Sequence, residues 1–116
     1  MITLEELLRL MVERGGSDLH ISAGSAPRVR LDGALAEVPN IEVLGPEATK
    51  KLVYSVLDGT QIDRFEQDMK LDMSFGLAGV GRFRVNVFFQ RGAVGAVLRT
   101  IPYEIFTFDQ LGLPRD

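Results

Sequence analysis

Leu71-Asp72-Met73-Ser74-Phe75-Gly76-Leu77, followed by Gly81-Arg82-Phe83-Arg84-Val85-Asn86-Val87, is the stretch that decides the fold. Leu71, Met73, Phe75 and Leu77 alternate with Asp72, Ser74 and Gly76, a period of two that belongs to a half-buried strand. Ala78-Gly79-Val80-Gly81 turns the chain, and the alternation resumes with Phe83, Val85 and Val87 set against Arg82, Arg84 and Asn86. Arg91-Gly92 turns it again, and Ala93 to Ile101 makes a third strand that ends at Pro102. The pattern predicts a three-stranded antiparallel meander with apolar side chains on one face and arginines on the other.

Working outward, the period upstream of the meander is helical. Pro46 suits the first position of a helix, in which Leu52, Val53, Val56 and Leu57 make a buried stripe ended by Asp58-Gly59. Thr60 is placed to cap a third helix running to about Gln67, with Ile62 and Phe65 turned inward. Earlier still, Ser17 to Ile21 reads as a short strand, and Asp32-Gly33 joins Arg28–Leu31 to Ala34–Val38 as a hairpin. The chain opens with a helix: Thr3 and Glu6 form a capping box, and Ile2 and Leu7 a hydrophobic staple. Leu4, Leu7, Leu8, Met11 and Val12 supply its apolar face, and Gly15-Gly16 its stop. These elements predict an α+β domain with helices packed on one face of an antiparallel sheet.

At 116 residues the chain has room for one hydrophobic core. Its 13 Lys+Arg against 16 Asp+Glu exclude a broadly basic surface of the kind that binds nucleic acid. With no cysteine, disulfide frameworks, thiolate metal sites and cysteine nucleophiles are excluded together, which suits a reducing cytoplasm. No apolar run reaches the roughly 20 residues that span a bilayer. The opening Met1–Met11 lacks the basic region of a secretory signal.

No catalytic or metal-binding constellation emerges. His20 is the only histidine, and at a strand position a packed structural role fits it better than catalysis. Asp63, Glu66, Asp68 and Asp72 fit an exposed helix and its exit better than acid/base work or Mg²⁺ ligation. Gly76, Gly79 and Gly81 sit between strands, and GxxxxGK[ST] occurs nowhere, so they are read as a hairpin turn. One cluster stands out: Arg82, Arg84, Arg91 and Arg99 with no acidic residue between the first and the last. A guanidinium is permanently charged and forked to match phosphate or carboxylate oxygens. The four arginines can equally pair with acids such as Asp72 across the meander, or solvate an outer face. Arg28 and Arg30 form a second, weaker pair with the same two readings.

Ser17-Asp18-Leu19-His20-Ile21-Ser22-Ala23-Gly24 and Pro27-Arg28-Val29-Arg30-Leu31-Asp32-Gly33 resemble the amino-terminal domain of the type IV pilus retraction ATPases, within the secretion ATPase superfamily. The resemblance runs on through Leu71–Phe75, Gly81–Gly92, Leu98–Pro102 and Phe108–Pro114, so it spans the chain. It implies a PAS-like domain over residues 1–101, with 102–116 beginning a linker to a RecA-like nucleotide-binding core. It further implies a cytoplasmic homohexamer at the pilus base, peripheral to the inner membrane and its pilus platform, driving twitching motility. Each such domain would pack on its own and its neighbour's core, where ATP and Mg are bound mainly by the core. The arginines that the family directs to the phosphates or the opposing core correspond to Arg82, Arg84, Arg91 and Arg99, with Arg84 and Arg99 ranked first.

The resemblance also implies that this stretch, lacking a phosphate-binding loop, holds no cofactor and hydrolyses no ATP by itself. Two other functions fit a PAS-like fold: a small-molecule sensor, and a structural adaptor whose arginines only pair with acids.

Overall fold

The computed structural model describes residues 3–39 and 41–101. Its elements in chain order are α1 (Leu4–Glu13), β1 (Asp18–Ile21), β2 (Arg28–Leu31), β3 (Ala34–Glu37), α2 (Pro46–Tyr54), α3 (Gly59–Asp68), β4 (Lys70–Leu77), β5 (Gly81–Gln90) and β6 (Ala93–Ile101). The expected linker from Pro102 onward, and Ile2 of the expected staple, lie outside the described residues.

The expected meander, β4-β5-β6, is half of a larger sheet. Six antiparallel strands follow the order β3-β2-β1-β6-β5-β4. The two halves are joined where β1 pairs with β6, so that Asp18 faces Arg99 and Leu19 faces Leu98. The β2–β3 and β5–β6 hairpin turns each carry two successive residues with positive φ, Asp32 (50°) with Gly33 (83°) and Arg91 (55°) with Gly92 (79°). That is the geometry whose twist matches paired strands, and it explains a glycine at the second position of each.

Alternation decides which side chains go inside. Leu19, Val29, Phe83, Val85, Val87, Ala96 and Leu98 are buried on one face, together with Leu4, Leu7, Leu8 and Met11 of α1 and Leu52 and Val53 of α2. The α+β reading with helices on one face is what the molecule shows. The Thr3–Glu6 capping box is formed, and Arg14 caps the other end of α1.

Three local expectations are corrected. Val12 is solvent-exposed, because the buried stripe of α1 ends at Met11. The second helix stops at Tyr54: Val56 and Leu57 donate to Val53 and Tyr54 in a tightened last turn. Asp58 then caps α3 in place of Thr60, in a capping box with Gln61. A carboxylate that can bind the N3 amide outcompetes a threonine two positions inside the helix.

Candidate functional site

The strand alternation that buries Phe83, Val85 and Val87 leaves Arg82, Arg84 and Asn86 exposed on the opposite face of β5. The ladders extend that face in both directions. Ser74, Arg84, Arg99, Asp18 and Arg30 are successive partners across β4, β5, β6, β1 and β2. Asp72, Asn86, Val97, His20 and Arg28 form the next row. Five arginines, 28, 30, 82, 84 and 99, thus share one sheet face, opposite the one that buries Phe83, Val85 and Leu98.

Their environments differ. Arg99 donates from Nε to Asp18 Oδ1 at 3.1 Å, and Arg30 from Nε to Asp18 Oδ2 at 3.3 Å. Asp18 is buried, with a side chain 8% exposed, whereas the Arg99 side chain is 67% exposed. Arg30 Nη1 also donates to the Gly33 carbonyl at 3.0 Å. Arg82 lies across Gly76 on the neighbouring strand, its Nη1 3.1 Å from where a Cβ would stand there. Among the described residues Arg82, Arg84 and Arg91 form no ion pair. Asp72, an acid that the alternative pairing reading would use, accepts from Asn86 Nδ2 at 3.0 Å.

Arg91 does not join the row. It occupies the β5–β6 turn, seven residues beyond Arg84, or roughly 23 Å at strand rise. Asp18 and His20 were missed as members of this face. Their alternation with Leu19 and Ile21 placed them outward, but pairing of β1 with β6, eighty residues away, left no local trace.

His20 carries a buried Nε2 with no hydrogen-bond partner among the described residues. Burial pushes its pKa below the ordinary 6.5, opposed by Asp18 and reinforced by Arg30, Arg28 and Arg99. Glu66, from the acidic stretch at α3, accepts a hydrogen bond from the Tyr54 hydroxyl at 2.8 Å. Desolvation and that bond raise Tyr54 to about 12. No group of three acidic or histidine side chains suited to a metal ion occurs among the described residues. No helix among them is long and apolar enough to cross a membrane. Chemically, the exposed face offers fixed cations for an anion, with one buried carboxylate between two of them.

No family model matches the chain. It is 40% identical over 110 residues to the type IV pilus retractation ATPase PilT of Pseudomonas aeruginosa, covering 95% of this chain and 32% of PilT. It is 43% identical over 110 residues to the type IV pilus ATPase PilU of the same organism, covering 95% of this chain and 28% of PilU. A crystal structure of the pilus retraction motor PilT with bound ADP superposes with a TM-score of 0.85 at 45% identity, over 98% of this chain and 33% of that one. The chain therefore spans about a third of the length of the curated relatives it matches. Identity at this level along nearly the whole chain, carried on the same fold, makes it a homologue of the amino-terminal domain of PilT, within the GspE/PilT secretion ATPase superfamily.

Proposed function

We propose that this chain is the amino-terminal module of a hexameric pilus-retraction ATPase, a motor for twitching motility at the cytoplasmic side of the pilus base. The module packs on the RecA-like core of a neighbouring subunit and directs arginines at ATP and Mg gripped by that core. The observation that carries the reading is Arg84. It stands exposed on β5, across the ladder from Arg99, without a carboxylate partner among the described residues. An uncommitted guanidinium is free to meet phosphate charge, the role arginine fingers take in phosphoryl transfer. Arg99 stands beside it, Arg82 two residues along the same strand, and Arg91 at a remote turn where a different contact is its part. The homologue PilT has been seen with bound ADP, which supports a nucleotide as the anion.

The test is Arg84→Ala in the full-length protein. Turnover of ATP falls by on the order of 10³-fold or more while this domain stays folded. Undiminished turnover overturns the assignment.

A structural-adaptor reading is favoured at one place by the pairing of Arg99 and Arg30 with Asp18. Under it, Arg82→Glu loosens subunit association and leaves the chemical step of assembled rings unchanged.

A further inference from the structure

Asp18 is the one buried charged side chain described in the molecule, and the proposed function does not by itself require it. Burying a carboxylate is costly unless it is paired and hydrogen-bonded, and here the compensation comes from two arginines at once. The manner of pairing is informative. Arginine binds a carboxylate most strongly side-on, through two parallel N–H donors. Asp18 instead gives one oxygen to each Nε, to Arg99 at 3.1 Å and to Arg30 at 3.3 Å. Arg30 is engaged a second time through Nη1 on the Gly33 carbonyl. The terminal nitrogens of Arg99 make no hydrogen bond among the described residues, and its side chain is two-thirds exposed.

We propose that Asp18 is a positioning residue for Arg99: it tethers the guanidinium by Nε and leaves both terminal nitrogens presented to an anion beside Arg84. Arg30 completes the device by occupying the second carboxylate oxygen, so that Arg99 cannot rotate into a closed two-point grip. The row Arg30, Asp18, Arg99 and Arg84 then carries three cations and one anion, a net +2 suited to a doubly charged phosphoryl group. The inference rests on the reading of Arg84 and Arg99 as phosphate-facing groups, and its test separates the two.

The experiment measures steady-state ATP turnover, KM for ATP and thermal melting of the full-length protein. The variants are Asp18→Asn, Arg99→Ala, their combination, and Arg30→Gln. Asp18→Asn lowers kcat on the order of 10²-fold, the scale of a misplaced catalytic group, with little change in KM because the core grips the nucleotide. In the Arg99→Ala background the same substitution produces no further loss of kcat, as expected of a residue acting through its partner. Equal losses in both backgrounds, or a lowered melting temperature with kcat intact, overturn the positioning role. Where Asp18→Asn fails to fold, Arg30→Gln decides. It leaves Asp18 and Arg99 in place, frees the second oxygen, and lowers kcat on the order of tenfold. Unchanged kcat in Arg30→Gln refutes the tether. Normal turnover in Arg99→Ala defeats the phosphate reading of Arg99 itself, a different outcome from impaired Arg99→Ala with normal Asp18→Asn.

Discussion

Arg84 and Arg99 are direct partners across the β5–β6 ladder, on the face opposite the one that buries Phe83, Val85 and Leu98. Two like charges at opposed positions on neighbouring strands have Cβ atoms about 4.5–5.5 Å apart and destabilise the pair. The sheet gains nothing from this juxtaposition, and Asp18 relieves it from one side only. A local arrangement that costs stability and persists is where a functional constraint is expected.

The energetic side can be measured without any assay of activity. Arg84→Thr keeps a good strand former and removes the repulsion, so stability rises by a few tenths of a kcal/mol at low salt. The gain closes toward zero near 1 M salt, where the Debye length has fallen to about 3 Å. Urea midpoints of the two proteins at low and high salt read this directly. A loss of about 1 kcal/mol instead would show Arg84 making a stabilising contact.

Much of this was legible from period alone. The meander, the Asp32-Gly33 turn and the Thr3–Glu6 capping box follow from local chemistry, and each is present. The exposed face of β5 was legible too, because Phe83, Val85 and Val87 leave Arg82 and Arg84 no other side. What local sequence could not provide was the seam between the halves. Pairing of Asp18 with Arg99 is a contact across 81 positions, and it converts a free arginine into a tethered one. The N-cap of α3 failed for another reason: Asp58 and Thr60 are both competent caps, and only the earlier end of α2 decides between them.

Phe65 is the single buried residue of α3. Its ring stacks on Phe89 with centroids 4.6 Å apart and meets Tyr54 edge-on at 6.2 Å. Phe65→Ala therefore removes the buried anchor of that helix, leaving only the partly buried Ile62 against the core, and costs about 3–5 kcal/mol. Phe65→Leu, which keeps most of the volume, costs less than half as much. Amide exchange is the discriminating measurement: α3 amides lose protection in Phe65→Ala before those of β5 do. Uniform loss across the sheet would show that α3 and the core open as one unit.

Gly16 marks a close approach between the exit of α1 and β2. A Cβ there would lie 2.6 Å from Val29 Cγ1, 2.8 Å from Met11 Cγ and 3.2 Å from the Arg30 carbonyl oxygen. Two of these neighbours are core side chains and the third is backbone, so none can yield without strain. Gly16→Ala destabilises by about 1–3 kcal/mol, read as a lowered denaturant midpoint at unchanged slope. Gly59→Ala is the control, because a Cβ at that helical position meets nothing within 4 Å.

His20 gives the molecule a pH dependence whose sign is fixed by its surroundings. Burial, with Arg28, Arg30 and Arg99 nearby, lowers the pKa of the folded state below 6.5, against the opposing pull of Asp18. Between that lowered value and 6.5 the unfolded chain binds more protons than the folded one, so stability rises with pH across the window. The contribution is complete above pH 6.5 and is lost as acid charges the ring. No other histidine is present, and histidine is the side chain whose charge ordinarily changes in this range. Unfolding midpoints at pH 7.5 and 5.5 therefore differ, with the lower midpoint at pH 5.5. His20→Gln keeps a polar group at this position and abolishes most of that difference. An equal difference in the variant would show that His20 is not the source of the pH response.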